Sequence, residues 1–342
     1  MTARYVLSDG YRFSRIIKGG WHLAGDHGAI DRQQAIKDMA AFVDAGVTTF
    51  DCADIYTGVE EMIGDFIRAE PRLGAQVQIH TKFVPDLSDL ASVNGAYVAR
   101  IIDRSLRRLG VEQLDVVQFH WWDYDAARYV EAALELDRQR AAGKIGRIGV
   151  TNFDTPRLTE LLEAGVPIAT NQLQYSLLDR RPAGAMTALC QAHDIVMLCY
   201  GTVAGGFLSD RWLGQPPPEG LTNRSLIKYQ LIIEDCGGWD FLQGLLSALK
   251  VIAVKHEVDV ATIATAAALT FPNVAAAIVG ATSARHIAAN VAATKVVLDD
   301  EDLTMLNAAR DSGAEVGGDV FALERDRDGR HGRIMKYELN KT

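Results

Sequence analysis

The chain has 342 residues, 48% of them hydrophobic and 23% charged, with a formal charge of −9. This is ordinary globular composition with enough chain for a large core, and the acidic balance, with no local basic cluster, speaks against nucleic acid, whose binding rests on Lys and Arg neutralising phosphates. No apolar run has the length of a membrane span or a leader, and Cys52, Cys190, Cys199 and Cys236 show neither zinc spacing nor a disulfide framework, so a soluble protein of a reducing, cytoplasmic compartment is expected.

Residues 4–14 read as a hairpin, turned at Asp9-Gly10, that covers the bottom of the strand-helix repeat beginning at Ile16. From Ile16 onward one unit repeats: a short apolar run, a polar turn, then a longer stretch with helical spacing of its apolar residues. The runs are 16–17, 48–51, 77–82, 114–120, 145–151, 168–172, 195–200 and 276–279. The helical stretches are 32–45, 60–69, 94–109, 126–142, 155–164, 185–193, 239–257 and 284–293. Gly46, Gly110, Gly143 and Gly165 stand where a residue tolerant of positive φ closes a helix. Eight strand-helix units predict a closed (β/α)8 TIM barrel, because an open doubly wound sheet rarely uses so many.

Three pieces fall outside the repeat. Residues 209–238 form a long insertion after the seventh strand, where a barrel keeps its lids; Trp212, Tyr229 and the adjoining Trp239 give it aromatic content suited to a sugar ring or an aryl aldehyde. Residues 300–309 predict a further helix. The tail, 311–342, is charged, and its Glu324-Arg325-Asp326-Arg327-Asp328 reads most simply as a solvated run, with a tail folded back over the barrel mouth as the alternative. The whole chain is expected to be one barrel domain with its core over about 12–310.

The strand ends carry the chemistry. The carboxyl ends of barrel strands face one opening, so Asp51, Lys82 and His120, each ending an apolar run, are expected to converge, with Tyr56 on the loop after the second strand. A free phenol, with a pKa of about 10, is a poor acid at neutral pH. An ammonium at Lys82, held by Asp51, would lower that pKa, and the His120 imidazole could donate to a carbonyl oxygen and orient it. Such groups suit protonation of an alkoxide, which calls for hydride from a nicotinamide or flavin. Gly19-Gly20-Trp21 lacks the Gly-x-Gly-x-x-Gly pattern of a Rossmann site. Thr151, Asn152 and Gln172 instead end the fifth and sixth strands with groups suited to a carboxamide, and Tyr200 ends the seventh with a ring suited to stacking. Trp21, Trp121 and Trp122 are expected as walls of a substrate pocket, and no metal site is expected. Two other functions fit single features: a lyase forming a Schiff base on Lys82, and a cofactor-sensing barrel with little turnover.

Taken in order, Asp51, Tyr56, Lys82 and His120, then Gly149-Val150-Thr151-Asn152-Phe153, Asn171-Gln172-Leu173-Gln174-Tyr175 and Ile278-Val279-Gly280-Ala281 resemble the motifs of the aldo-keto reductase superfamily. The resemblance implies an NAD(P)H-dependent carbonyl reductase or alcohol dehydrogenase acting on a small molecule, with Tyr56 as general acid, Lys82 and Asp51 as its tuners, and His120 as orienter. It implies cofactor contacts from Gly20, Trp21, Thr151, Asn152, Gln172 and Tyr200. Further contacts are implied from Gly201, Thr202, Gly205, Phe207 and Leu208 toward the pyrophosphate, and from Gly280, Thr282, Ser283, Arg285, His286 and Asn290 around the adenosine. The chain departs from the pattern at three places. Thr151 replaces the usual serine, Gly201-Thr202 replaces a Ser-Pro start, and His286 stands where an arginine for the 2′-phosphate is frequent. NADPH is the expected cofactor, through Arg285 and Ser283, with NADH as the alternative.

Overall fold

The computed structural model describes residues 2–24, 30–280 and 283–340. Strands β1 (Arg4–Val6) and β2 (Arg12–Ser14) form the antiparallel hairpin, with Gly10 at φ +86° in its turn. Eight parallel strands then close into a barrel in the order β10-β3-β4-β5-β6-β7-β8-β9. They are β3 (Ile16–Gly19), β4 (Thr49–Asp51), β5 (Gln78–Phe83), β6 (Leu114–Phe119), β7 (Ile145–Thr151), β8 (Ile168–Gln174), β9 (Val196–Tyr200) and β10 (Val274–Gly280). The predicted TIM barrel is the observed fold. Its strands are buried almost throughout, because both of their faces are covered, by the barrel interior and by the helices outside.

Those helices are α1 (Arg32–Asp44), α2 (Val59–Ala69), the short α3 (Pro71–Gly74), α4 (Gly95–Leu109), α5 (Tyr129–Ala141), α6 (Thr155–Glu163) and α7 (Ala185–Ala192). Their ends obey local chemistry. Asn94 and Asp154 accept the backbone N–H groups of Tyr97 and Arg157 and so start α4 and α6. Gly46, Gly110, Gly143 and Gly165 follow helices with φ between +70° and +86°, a region that costs an L side chain but not glycine.

The second half departs from the expectation in two elements. The insertion contains a helix, α8 (Arg224–Asp235), before α9 (Gly238–Lys255), and α10 (Val260–Ala268) precedes the last strand. The last of these is Val-Ala-Thr-Ile-Ala-Thr-Ala-Ala-Ala and buried all round except at Ala261, so it has no polar face to give a period. The insertion's aromatic rings pack together beside the barrel. Trp212, Phe207 and Trp239 pack on one another at centroid distances of 5.2 to 5.9 Å, in a second apolar core beside the barrel. After α11 (Ile287–Ala292) and α12 (Asp300–Asp311), the tail with α13 (Ala322–Arg325) runs back across the carboxyl ends of the strands. Among the described residues no helix is long and apolar enough to cross a membrane.

Helix α2 crosses α4 at Gly64, where an added Cβ would overlap the backbone carbonyls of Arg108 and Leu109. In a free helix Gly→Ala gains about 1 kcal/mol; here the clash opposes that gain with overpacking of about 1–3 kcal/mol against atoms that cannot rotate away. Gly64→Ala should therefore lower the urea midpoint at unchanged slope, and a raised midpoint would contradict the crossing.

Candidate active site

Asp51 ends β4 and pairs in register with His80 of β5, so Lys82, two residues on, points to the same side of the sheet. Its Nζ donates to both carboxylate oxygens of Asp51 at 2.8 Å and to the Cys52 carbonyl at 2.9 Å. Two amides complete the shell: Gln172 Nε2 donates to Asp51 Oδ1 at 2.6 Å and Gln118 Nε2 at 3.3 Å. All four side chains are buried. Burial alone pulls the Lys82 pKa down, but the Asp51 carboxylate outweighs it and holds the ammonium well above the usual lysine range. Gln118 escaped the sequence reading, although an amide in an apolar strand, two residues before His120 and on the same face, was a legible signal.

Tyr56 is half-buried, with Lys82 Nζ 4.9 Å from its ring centroid and the Trp21 ring 5.1 Å away. Burial pushes the phenol up to about 12, with Lys82 working against it. The expected net lowering is thus reversed, because desolvation of a would-be phenolate outweighs one ammonium.

His120 follows the end of β6 and places Nδ1 3.0 Å from the Thr151 carbonyl oxygen. A carbonyl only accepts, so Nδ1 carries the proton. Burial, and then the nearby Arg325 guanidinium, lower the imidazole to about 3, which leaves it neutral. In that tautomer Nε2, buried and unpaired, is an acceptor. Donation from Nε2 to a carbonyl, as expected from sequence, would need the imidazolium that this environment opposes.

Trp122 packs edge-on to His120 at 4.3 Å and stays at the mouth. Trp121 does not: it is fully buried against Phe119 and donates from Nε1 to the Ala126 carbonyl, because adjacent residues point to opposite sides. Thr151 Oγ1 donates to the Gln172 carbonyl, and Asn152, at φ +61°, accepts the Tyr200 hydroxyl at 2.8 Å. Gly20 lets its loop meet the Asp51 carbonyl, accepting no side chain because a Cβ there would lie 2.6 Å from that oxygen.

The segment after β9 is less open than expected. Gly201 and Gly205, at φ +77° and +65°, leave room that the Tyr229 ring fills. Phe207 and Leu208 are fully buried, and their N–H groups already donate to Ala204 and Val203, which removes them as free pyrophosphate donors. Thr202 is buried with its hydroxyl 3.5 Å from that of Thr265. At the end of β10, Gly280 accommodates the His22 ring, Arg285 and His286 are exposed, and Ser283 and Asn290 are half-buried. Thr282 lies outside the described residues.

The tail follows the second of its two expected courses, back over the barrel mouth. Glu324 is buried between Arg181, which donates to both its oxygens at 2.9 and 3.1 Å, and Lys228 at 3.4 Å. Arg181 also binds Asp179 at 2.6 Å. Phe321 is buried with its ring edge-on to His120 at 5.6 Å. Tyr337 packs on Trp122 at 5.2 Å. Of the run expected to be solvated, Glu324 and Arg325 are engaged in specific bonds, while Asp326, Arg327 and Asp328 are exposed.

The sequence model of the Aldo/keto reductase family matches residues 15–311. Flagellar radial spoke protein 5 of Chlamydomonas reinhardtii is 31% identical over 293 residues, covering 68% of this chain and 55% of that protein, so the chain spans about half the length of that relative. The NADH-specific methylglyoxal reductase of Escherichia coli K12 is 24% identical over 314 residues, covering 86% of this chain and 93% of that one. The aldo/keto reductase from Klebsiella pneumoniae solved in complex with NADP and acetate has a TM-score of 0.71 at 25% identity, covering 94% and 99% of the two chains. The glycerol dehydrogenase from Gluconobacter oxydans, with a TM-score of 0.76, 23% identity and coverage of 90% and 95%, shares the fold.

Two measurements test the electrostatics. Lys82→Met leaves the Asp51 carboxylate buried without its cation and should cost about 3–5 kcal/mol in unfolding experiments; adding Asp51→Asn should recover at least about 1 kcal/mol, and strict additivity would show that the pair is uncoupled. For His120 the folded pKa lies below the unfolded value, so below about pH 6.5 the unfolded chain binds the extra proton. Its contribution is full above that pH and is lost as pH falls toward about 3. In His120→Asn the stability loss between pH 6 and 4 should be shallower by about 1.4 kcal/mol per unit; an unchanged slope would contradict a neutral His120.

Proposed function

The chain belongs to the aldo/keto reductase family, and from that premise we propose that it interconverts a small aldehyde or ketone and its alcohol with a nicotinamide cofactor, Tyr56 handling the proton. The observation that carries this reading is the buried Lys82–Asp51 pair under the Tyr56 ring. A bound nicotinamide would supply the hydride for the carbonyl carbon. The side chains do the rest. Tyr56 stays protonated at neutral pH and offers its O–H to the carbonyl oxygen. Lys82, kept charged by Asp51, favours the phenolate left behind. His120, held neutral and fixed through Nδ1 on the Thr151 carbonyl, keeps Nε2 unpaired beside the reacting groups and so shapes where the substrate oxygen can sit.

The donor set fits the cofactor at both ends. Asn152, whose side-chain oxygen takes the Tyr200 hydroxyl, keeps its amide N–H groups for a carboxamide, and Tyr200 offers a ring for stacking. At the far end Arg285 is exposed, with no ion pair among the described residues, and with Ser283 it suits the 2′-phosphate of NADPH. A Schiff-base lyase is disfavoured, since a nucleophilic lysine needs a depressed pKa and Lys82 is raised.

With methylglyoxal as substrate and NADPH oxidation as the readout, Tyr56→Phe should lower turnover by roughly 10²- to 10⁴-fold, with tryptophan quenching by NADPH unchanged. Parental turnover in that variant would remove Tyr56 from the chemistry. In the same titration, equal affinity for NADH and NADPH would remove the phosphate role of Arg285.

A further inference from the structure

We propose that Arg325, reaching in from the tail, is a positioning residue that holds His120 and Asn152 in place at the barrel mouth. One nitrogen of its guanidinium, Nη2, donates to three oxygens: the Asn152 carbonyl at 2.7 Å, the Tyr124 hydroxyl at 2.7 Å and the Trp121 carbonyl at 3.2 Å. Trp121 is the residue after His120, and Asn152 is the residue after Thr151, whose carbonyl takes the His120 Nδ1 proton. The guanidinium therefore ties the exits of β6 and β7 together just beyond the hydrogen bond that sets the imidazole tautomer. Asn152 adopts a positive φ that costs a non-glycine residue of order 1–3 kcal/mol, so its turn needs outside support. Arg325 supplies that support at its carbonyl, while Tyr200 holds its side chain.

The rest of the tail keeps the guanidinium there. Its carbon lies 4.2 Å from the Tyr124 ring centroid and 5.3 Å from that of Phe321, contacts that suit a guanidinium better than an ammonium. Phe321, at φ +61°, lays its ring edge against His120. Glu324, the preceding residue, is locked by Arg181 and Lys228, and Asp319 accepts the Thr155 N–H at 2.9 Å. Arg325 itself makes no ion pair among the described residues, and its Nε is buried without a partner.

The catalytic consequence rests on the reading of Tyr56 and His120 above, but the placement of His120 does not, which separates the two failures. The variants are Arg325→Met, which keeps the packing on Tyr124 and Phe321, and Arg325→Lys, the conservative change. The readouts are methylglyoxal reduction with NADPH and the nitrogen-15 imidazole spectrum of the full chain, with the His120 signal identified by its loss in His120→Asn. Arg325→Met should lose the signature of a neutral imidazole protonated at Nδ1, and kcat should fall about 10- to 100-fold, the scale of a small misplacement of a reacting group. Millimolar guanidinium should restore part of both, and Arg325→Lys less than guanidinium does. A spectrum identical to the parent's in Arg325→Met would overturn the proposal whatever the activity. Loss of activity in step with loss of folding, without guanidinium rescue, would also overturn it in favour of a purely structural role. A parent chain that reduces no carbonyl, with the His120 signal still altered in Arg325→Met, would leave the positioning role standing and reject the reaction assigned above.

Discussion

The buried pair between Asp51 and Lys82 is the interaction on which the mouth of this barrel depends. Removing two charges from water costs several kcal/mol per ion, and their attraction offsets that only when the remaining lone pairs and protons are also satisfied. Here they are. The carboxylate receives Lys82 on both oxygens and the amides of Gln118 and Gln172, while the ammonium also reaches the Cys52 carbonyl. These side chains come from β4, β5, β6 and β8, so one carboxylate sets the relative positions of half the strands at their carboxyl ends. The barrel brings them together; the hydrogen bonds then make any other arrangement unfavourable.

A second buried charge cluster does the corresponding work above the mouth. Asp179, Arg181, Lys228 and Glu324 balance two acids with two bases out of water, and they join the loop after β8, helix α8 and the tail. Arg330 and His331 add contacts from the tail to Glu234 and Asp235 of α8. The cover over the strand ends thus adds buried ion pairs to the apolar packing of Val320 and Phe321. Such a cover is specific in its register, because a shifted tail would take Glu324 away from Arg181 and Lys228.

What was legible in the sequence obeys the same division. Strands such as β6 and β7 were readable because parallel strands covered on both faces are continuous apolar runs, and α4 was readable from its Asn94 cap and Gly110 terminator. Asp51, Lys82 and His120 were readable because each breaks an apolar run at its end. Helix α10 was not, since a helix buried all round has no contrast between faces. Trp121 and Trp122 are adjacent and chemically identical, and only the pleat decides that one is core and the other mouth. The course of the tail was open for a different reason: a run of alternating charge looks solvated when its partners cannot be seen, and Arg181 stands 143 residues before Glu324.

The pKa shifts at the mouth share one cause and have one effect. Burial raises the phenol of Tyr56 and lowers the imidazole of His120, and both shifts favour the uncharged form. With His120 committed through Nδ1 to Thr151, and Lys82 committed to Asp51 and Cys52, the Tyr56 O–H is the proton of this constellation left for a substrate oxygen. Of these four side chains Asp51 and Lys82 carry charge, paired and buried, while the phenol and the imidazole are held neutral.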